Sequence, residues 1–201
     1  MATKTTETRE IRFTKTTIEI RVHTDGGQQK ITGYAAVFDS LSEDLGGFRE
    51  TIKPGTFSRA LKEKQDVRGL VDHDSSKIIG RTEAGTMTLI EDDRGLKYEI
   101  AVADTTAGRD IVESIKRGDV SGSSFAFSVV ADSWRTEDGE EIRELTDVDL
   151  FDVGPVAFPA YPATVTEASF RSLSNHLKPN IERFRTRLDA AKRYAVVSGD
   201  K

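Results

Sequence analysis

Short runs of alternating apolar and polar residues, each cut off by glycine or aspartate, recur along most of this chain and commit it to β-structure. From Thr17, TIEIRVH sets Ile18, Ile20 and Val22 on one face and Glu19, Arg21 and His23 on the other, the period-two signature of a half-buried strand. DGGQQ then reads as a hairpin turn and KITGYAAVFDS as the returning strand. VRGLVDHD, KIIGRT, GTMTLIED and GLKYEIAVA continue the series, followed by SFAFSVVADSW, IRELTDVDL and FDVGPVAF. Only two helices interrupt it. Phe57, Ala60 and Leu61 have helical spacing over roughly 56–64, and Ile111, Val112 and Ile115 line one face of a helix from Thr106 to Arg117 that Gly118 should stop. The expected fold is sheet-rich α+β, a closed or nearly closed antiparallel or mixed β-barrel with a few flanking helices.

With 201 residues the chain suits one domain with tails, and 31% charged residues against 36% hydrophobic ones suggest that part of the length lies outside a core. Residues 1–16 are mostly threonine and charge and read as a polar, mobile arm. Residues 17–171 carry the strand pattern. In residues 172–201, Ile181, Phe184, Leu188 and Ala191 form a thin apolar stripe among arginines and lysines, an amphipathic helical tail that either packs on the domain or binds a partner. A net charge of −5 would repel nucleic acid and anionic membrane, so neither is expected as a partner. The absence of cysteine excludes disulfides, thiolate nucleophiles and cysteine metal sites. No apolar run reaches membrane-spanning length and MATKTTETREIRFTKTT has no signal-peptide core, so a soluble intracellular protein is expected.

Three serines, Ser121, Ser123 and Ser124, crowd the approach to an apolar strand in RGDVSGSSFAF, between glycines that allow a tight backbone path. A nucleophile needs such a position at the end of a rigid element, beside a base. Of the three histidines, His23 ends the first strand and His176 lies in the tail. His73 in LVDHDSS stands at a strand end, where it could be aimed into a cleft, and the flanking Asp72 and Asp74 should favour its protonated form. Each feature also reads as ordinary turn chemistry. A third group would orient the base. LTDVDLFDVGPVAF offers Asp147 and Asp149 on one face of a strand and Asp152 on the other, and that opposite parity points to Asp152. A metal site built from Asp72, His73 and Asp74 is disfavoured because consecutive strand residues face opposite ways.

In order and approximate spacing, GYAAVFD, GTFSRAL, LVDHD, KIIGRT, GLKYEIAV, IVESIKRGDVSGSSFAF and FDVGPVAFPAYPAT resemble the prohead proteases of tailed phages, capsid maturation enzymes related to the herpesvirus assemblin protease. The resemblance spans about Gly33 to Ser169 and implies a herpesvirus-protease-like fold. It matches the family's nucleophile to Ser124 and its base to His73. Herpesvirus relatives use a second histidine as third member; here LFDV occupies that place, so Asp152 is the substitute. By the same analogy the oxyanion donors would be backbone amides near Ala160 and Tyr161. No cofactor or metal is implied.

The activity implied is a serine endopeptidase acting on the scaffold segment of the major capsid protein and on itself, inside the assembling prohead in the cytoplasm of the infected bacterium. Self-association into a homo-oligomer is among the partners implied. Two other readings stay open on the residues alone. One is a non-catalytic assembly or scaffold protein that retains the fold; the other is a β-rich binding module in which His73 and the serines are turn residues far apart.

Overall fold

The computed structural model describes residues 9–13, 20–157 and 172–186. The chain divides into a unit over Met1–Thr164 and a second over Val165–Lys201. In the first unit the strands are β1 (Glu10–Phe13), β2 (Arg21–Asp25), β3 (Gln28–Val37), β4 (Arg49–Ile52), β5 (Arg68–Val71), β6 (Asp74–Arg81), β7 (Met87–Glu91), β8 (Gly95–Ala101), β9 (Gly122–Glu137) and β10 (Glu140–Val156). Helix α1 (Ser58–Lys62) separates β4 from β5, and α2 (Thr106–Arg117) separates β8 from β9. In the second unit the described residues form α3, over 172–186.

The strands make a sheet-rich α+β fold of two ladders. One runs β1-β9-β10-β5-β6 with β4 also on β10, and the other runs β2-β3-β8-β7. Pairing is antiparallel except where β10 meets β4 and β5, so the larger sheet is mixed. The barrel expected from the sequence does not close through hydrogen bonds among the described strands. Apolar side chains join the two ladders instead: Ile31, Leu96, Tyr98 and Ile100 from the smaller sheet share one buried cluster with Phe125, Phe127, Val148 and Val153 from the larger. Phe125 stacks on Phe127 at 4.8 Å and meets Phe57 edge-on at 5.7 Å, which fixes β9 in the core.

Two sequence expectations change. IRELTDVDL and FDVGPVAF, which read as separate strands, belong to one 17-residue strand, β10, carried through three register shifts by bulges. Its length lets one edge take β4 at residues 142–145 and β5 at 152–153. Residues Glu10–Phe13, read as part of a mobile arm, form β1 on the edge of β9. There Glu10 and Arg12 are buried among Glu50 and Arg143, and an arm exposed to water gains nothing from such pairing.

The helix α2 has the expected bounds. The Thr105 hydroxyl caps it by accepting from the Gly108 amide at 3.1 Å, and Gly118 ends it in the left-handed conformation at φ 83°. That stop turns the chain into β9 within four residues, at Gly122.

Candidate active site

Ser124 is the third residue of β9 and Asp152 lies on the neighbouring β10. In the ladder Ser124 faces Gly154 and Asp152 faces Ala126, so the serine and the aspartate are diagonal neighbours on one face of the sheet. A bulge between Leu150 and Asp152 brings this about. It inserts Phe151 as an extra residue and reverses the parity of the residues after it. The opposite parity read from the sequence is thereby undone: Asp149 faces Ser128 and Asp152 faces Ala126, so both lie on the face of the ladder that carries Ser124. Asp147 and Asp149 are half-exposed and bind Arg59 of α1, with Nε to the Asp147 carboxylate at 2.9 Å and Nη2 to Asp149 Oδ1 at 2.6 Å. Asp152, on that same face, is 2% exposed and is bonded by His73 and Arg9.

His73 arrives from a different element, and not quite as its sequence suggests. It does not end a strand. Val71 pairs with Asp74, and Asp72 and His73 form the two-residue turn between β5 and β6 at φ 53° and 58°. Positive φ at both central positions is the type I′ hairpin geometry, usually met by glycine, asparagine or aspartate. The other two-residue hairpins here follow that habit, with Gly26–Gly27 between β2 and β3 and Asp138–Gly139 between β9 and β10. A side chain in this region costs about 1–2 kcal/mol, so the surroundings must hold it there. Asp72 does so: its amide donates to the Pro155 carbonyl at 3.1 Å and its Oδ1 accepts from the Ala157 amide at 2.8 Å. The tip of the hairpin is thereby pinned to the end of β10, close to Gly154.

Gly154 is required at that junction. A Cβ there would lie 1.9 Å from the Leu70 carbonyl oxygen of β5, so only glycine lets β5 and β10 approach closely enough to bring the hairpin over Ser124.

The three side chains picked from the sequence meet in one line. His73 Nε2 is 2.6 Å from Ser124 Oγ, and His73 Nδ1 is 2.5 Å from Asp152 Oδ1. A neutral imidazole that donates its Nδ1 proton to Asp152 leaves Nε2 as an acceptor for the serine proton. Burial pushes the imidazole pKa down to about 4, the positive charge of Arg9 acting in the same direction and Asp72 opposing the shift. The flanking aspartates therefore do not set the protonation state as their sequence positions suggested. Asp72 is turned toward Ala157 and Asp74 toward Ser76, leaving desolvation to dominate. Hydroxyl, neutral imidazole and buried carboxylate in this order can pass a proton away from Ser124 and hold the imidazolium that forms.

The other candidates fall elsewhere. Ser123 points to the opposite face, where its hydroxyl meets Tyr98 Oη at 2.8 Å, and Ser121 is exposed before β9. His23 sits on β2 with its Nδ1 3.3 Å from Thr32 Oγ1, and His176 belongs to α3 in the second unit. Ala160 and Tyr161 lie outside the described residues. Among the described residues no group of three histidine, aspartate or glutamate side chains is placed to hold a metal ion, and no helix is long and apolar enough to cross a membrane.

Sequence reasoning missed the contribution of the N-terminal segment. The Arg9 guanidinium hydrogen-bonds Asp152 Oδ2, and the Arg12 carbonyl oxygen, 2.8 Å from Ser124 Oγ, competes with His73 Nε2 for the one hydroxyl proton. No local pattern in TTETREIRF announces these partners, which lie 143 and 112 residues away.

No match was found among proteins of curated function. Among solved structures the chain is similar to the bacteriophage T4 capsid assembly protease, gp21, with a TM-score of 0.45 and 12% identity over 74% of this chain and 96% of that one. The sequence profile of the caudovirus prohead serine proteases matches residues 16–179, which is most of the chain. On that match, the chain belongs to the caudovirus prohead serine protease family.

Proposed function

We propose that the protein is a serine endopeptidase of prohead maturation, with Ser124 as nucleophile, His73 as general base and acid, and Asp152 as the carboxylate that orients the imidazole. The observation that carries this reading is the continuous hydrogen-bonded line from Ser124 Oγ through both ring nitrogens of His73 to Asp152 Oδ1, in a chain of this family. Ser124 Oγ adds to a peptide carbonyl carbon while its proton passes to His73 Nε2. That proton then leaves on the amine as the C–N bond breaks, and water, deprotonated by the same imidazole, hydrolyses the ester. The low pKa of His73 keeps the base neutral at physiological pH, and Asp152 favours the imidazolium only while the proton is in transit.

Family membership supports a capsid protein as substrate and the interior of the assembling head, in the host cytoplasm, as the place of action. We assign the scaffold segment of the major capsid protein and the chain itself as the cleaved sequences, with residues 17–171 as the protease domain and 172–201 as a removable basic tail. Backbone amides near Ala160 and Tyr161 are the oxyanion donors in this scheme.

The test is the intact mass of the concentrated full-length protein over time, wild type beside Ser124→Ala and Ser123→Ala. The wild type and Ser123→Ala shorten at discrete sites while Ser124→Ala stays whole, since losing a nucleophile slows hydrolysis roughly a thousandfold or more. Equal trimming of wild type and Ser124→Ala would overturn the assignment.

A further inference from the structure

Ser124 has no exposed surface, with β1 paired beside it on β9 and His73 against its hydroxyl. β1 runs antiparallel along β9 with Arg12 opposite Phe125 and Phe13 opposite Ser124, which is how an extended peptide adds to a sheet edge. The carbonyl nearest the hydroxyl in this pairing is that of Arg12, whose oxygen is 2.8 Å from Ser124 Oγ. A polypeptide paired in this register brings the same peptide group beside Ser124, and for attack its carbonyl turns so that the carbon, not the oxygen, meets Oγ.

The Arg12 side chain is bound as specifically as its backbone. Its Nε donates to Glu50 Oε1 at 2.7 Å and its Nη2 to Glu50 Oε2 at 3.1 Å, a forked pair that suits guanidinium geometry. The guanidinium carbon also stands 5.5 Å from the centre of the Phe127 ring, and the residue is 5% exposed. Glu50 is held from the other side by Arg143 Nη1 at 3.2 Å, and Arg143 Nε is held by Asp132 at 2.6 Å. Glu10, the remaining carboxylate on Arg12, belongs to β1 and leaves with it. What stays behind is Glu50 with Arg143 alone, the guanidinium of Arg12 having gone. A buried carboxylate that has lost one of its two guanidinium partners favours an incoming cation and rejects an acidic side chain.

We propose that the edge of β9 beside Ser124 receives substrates as an added strand and that Glu50 selects arginine or lysine on the acyl side of the bond to be cut, β1 being the chain's own occupant of that subsite. The proposal rests on the serine protease reading above. In the reaction Ser124 Oγ bonds to the acyl carbon of the basic residue and its proton goes to His73. The bond to the following nitrogen breaks as that nitrogen takes the proton, and water releases the basic residue as a carboxylate. In β1 the bond concerned joins Arg12 to Phe13.

The experiment gives concentrated full-length protein four capped peptides. One has the sequence REIRFTKT of residues 9–16, and the others replace the arginine corresponding to Arg12 by lysine, alanine or glutamate. Products are located by mass spectrometry for the wild type, Ser124→Ala and Glu50→Gln. The arginine and lysine peptides are cut before phenylalanine, with kcat/KM at least about tenfold above the alanine and glutamate peptides. Glu50→Gln narrows that ratio, a readout that a purely structural role for Glu50 would leave unchanged. Should Glu50→Gln fail to fold, the ratio measured on the wild type decides. Ser124-dependent cleavage of all four peptides alike, or only at other bonds, overturns the specificity and leaves the protease reading standing. No Ser124-dependent cleavage of any peptide or of the chain itself overturns both.

Discussion

The Tyr98 and Ser123 hydroxyls are 2.8 Å apart in the core, on the face of β9 opposite Ser124. Neighbouring serines in one strand thus have unrelated duties. Ser123→Ala leaves a fully buried phenol without its partner and costs about 1–3 kcal/mol of stability while sparing hydrolysis. Ser124→Ala does the reverse. Thermal melting and peptide hydrolysis, measured on both variants, separate the two roles.

The pH dependence follows from the environment of His73. Its pKa, about 4 in the folded protein, lies below the ordinary imidazole value, so the base stays neutral as pH falls through 6.5 and is lost only near 4. The acid limb of kcat/KM, which reports the free enzyme, falls in that low range. Burial is the first cause and Arg9 the second. Arg9→Gln removes only the second, so the imidazole pKa rises and the acid limb moves to higher pH. An unmoved limb would show that Arg9 has no influence on the base.

Gly154→Ala drives a methyl group into the Leu70 carbonyl, 1.9 Å from an ideal Cβ. Backbone cannot yield as a side-chain tip can, so β5 must separate from β10. We expect a loss of about 3 kcal/mol or more in chemical denaturation. Hydrolysis falls with it, because the β5–β6 turn that carries His73 hangs from this contact.

Arg143 stands between Glu10 and Glu50 at 3.2 Å from each and is 2% exposed. Arg143→Ala leaves buried carboxylates with a single guanidinium between them, a loss of about 3–5 kcal/mol. Urea titrations of the variant beside wild type measure that loss.

Local pattern carried the sequence reading far. The bounds of α2 and its stop at Gly118 follow from short-range spacing, and the structure brings Ser124, His73 and Asp152 into contact, although the bulge at Phe151 overturns the opposite parity that singled out Asp152. The features that eluded it are non-local. β1 is a strand only because Glu50 and Arg143, 38 and 133 residues away from their partners in it, neutralise its charges. The position of His73 inside a left-handed turn depends on Pro155 and Ala157, to which Asp72 is bonded. Its protonation is set by burial, which flanking residues do not report. The single span of β10 was hidden because its bulges break the alternation that marks a strand.

The β9–β10 hairpin turns at Asp138–Gly139 and holds both Ser124 and Asp152, so these two are positioned by pairing within one contiguous stretch. His73 joins them through the parallel contact of Arg68 and Gly69 with Asp152 and Val153 and the Asp72 bonds to Pro155 and Ala157, across a much longer loop of chain. Contacts with short loops form early and those closing long loops form late. On the serine protease reading, a molecule that has formed the β9–β10 hairpin but not the β5 contact holds Ser124 and Asp152 without His73, so hydrolysis should await that late contact.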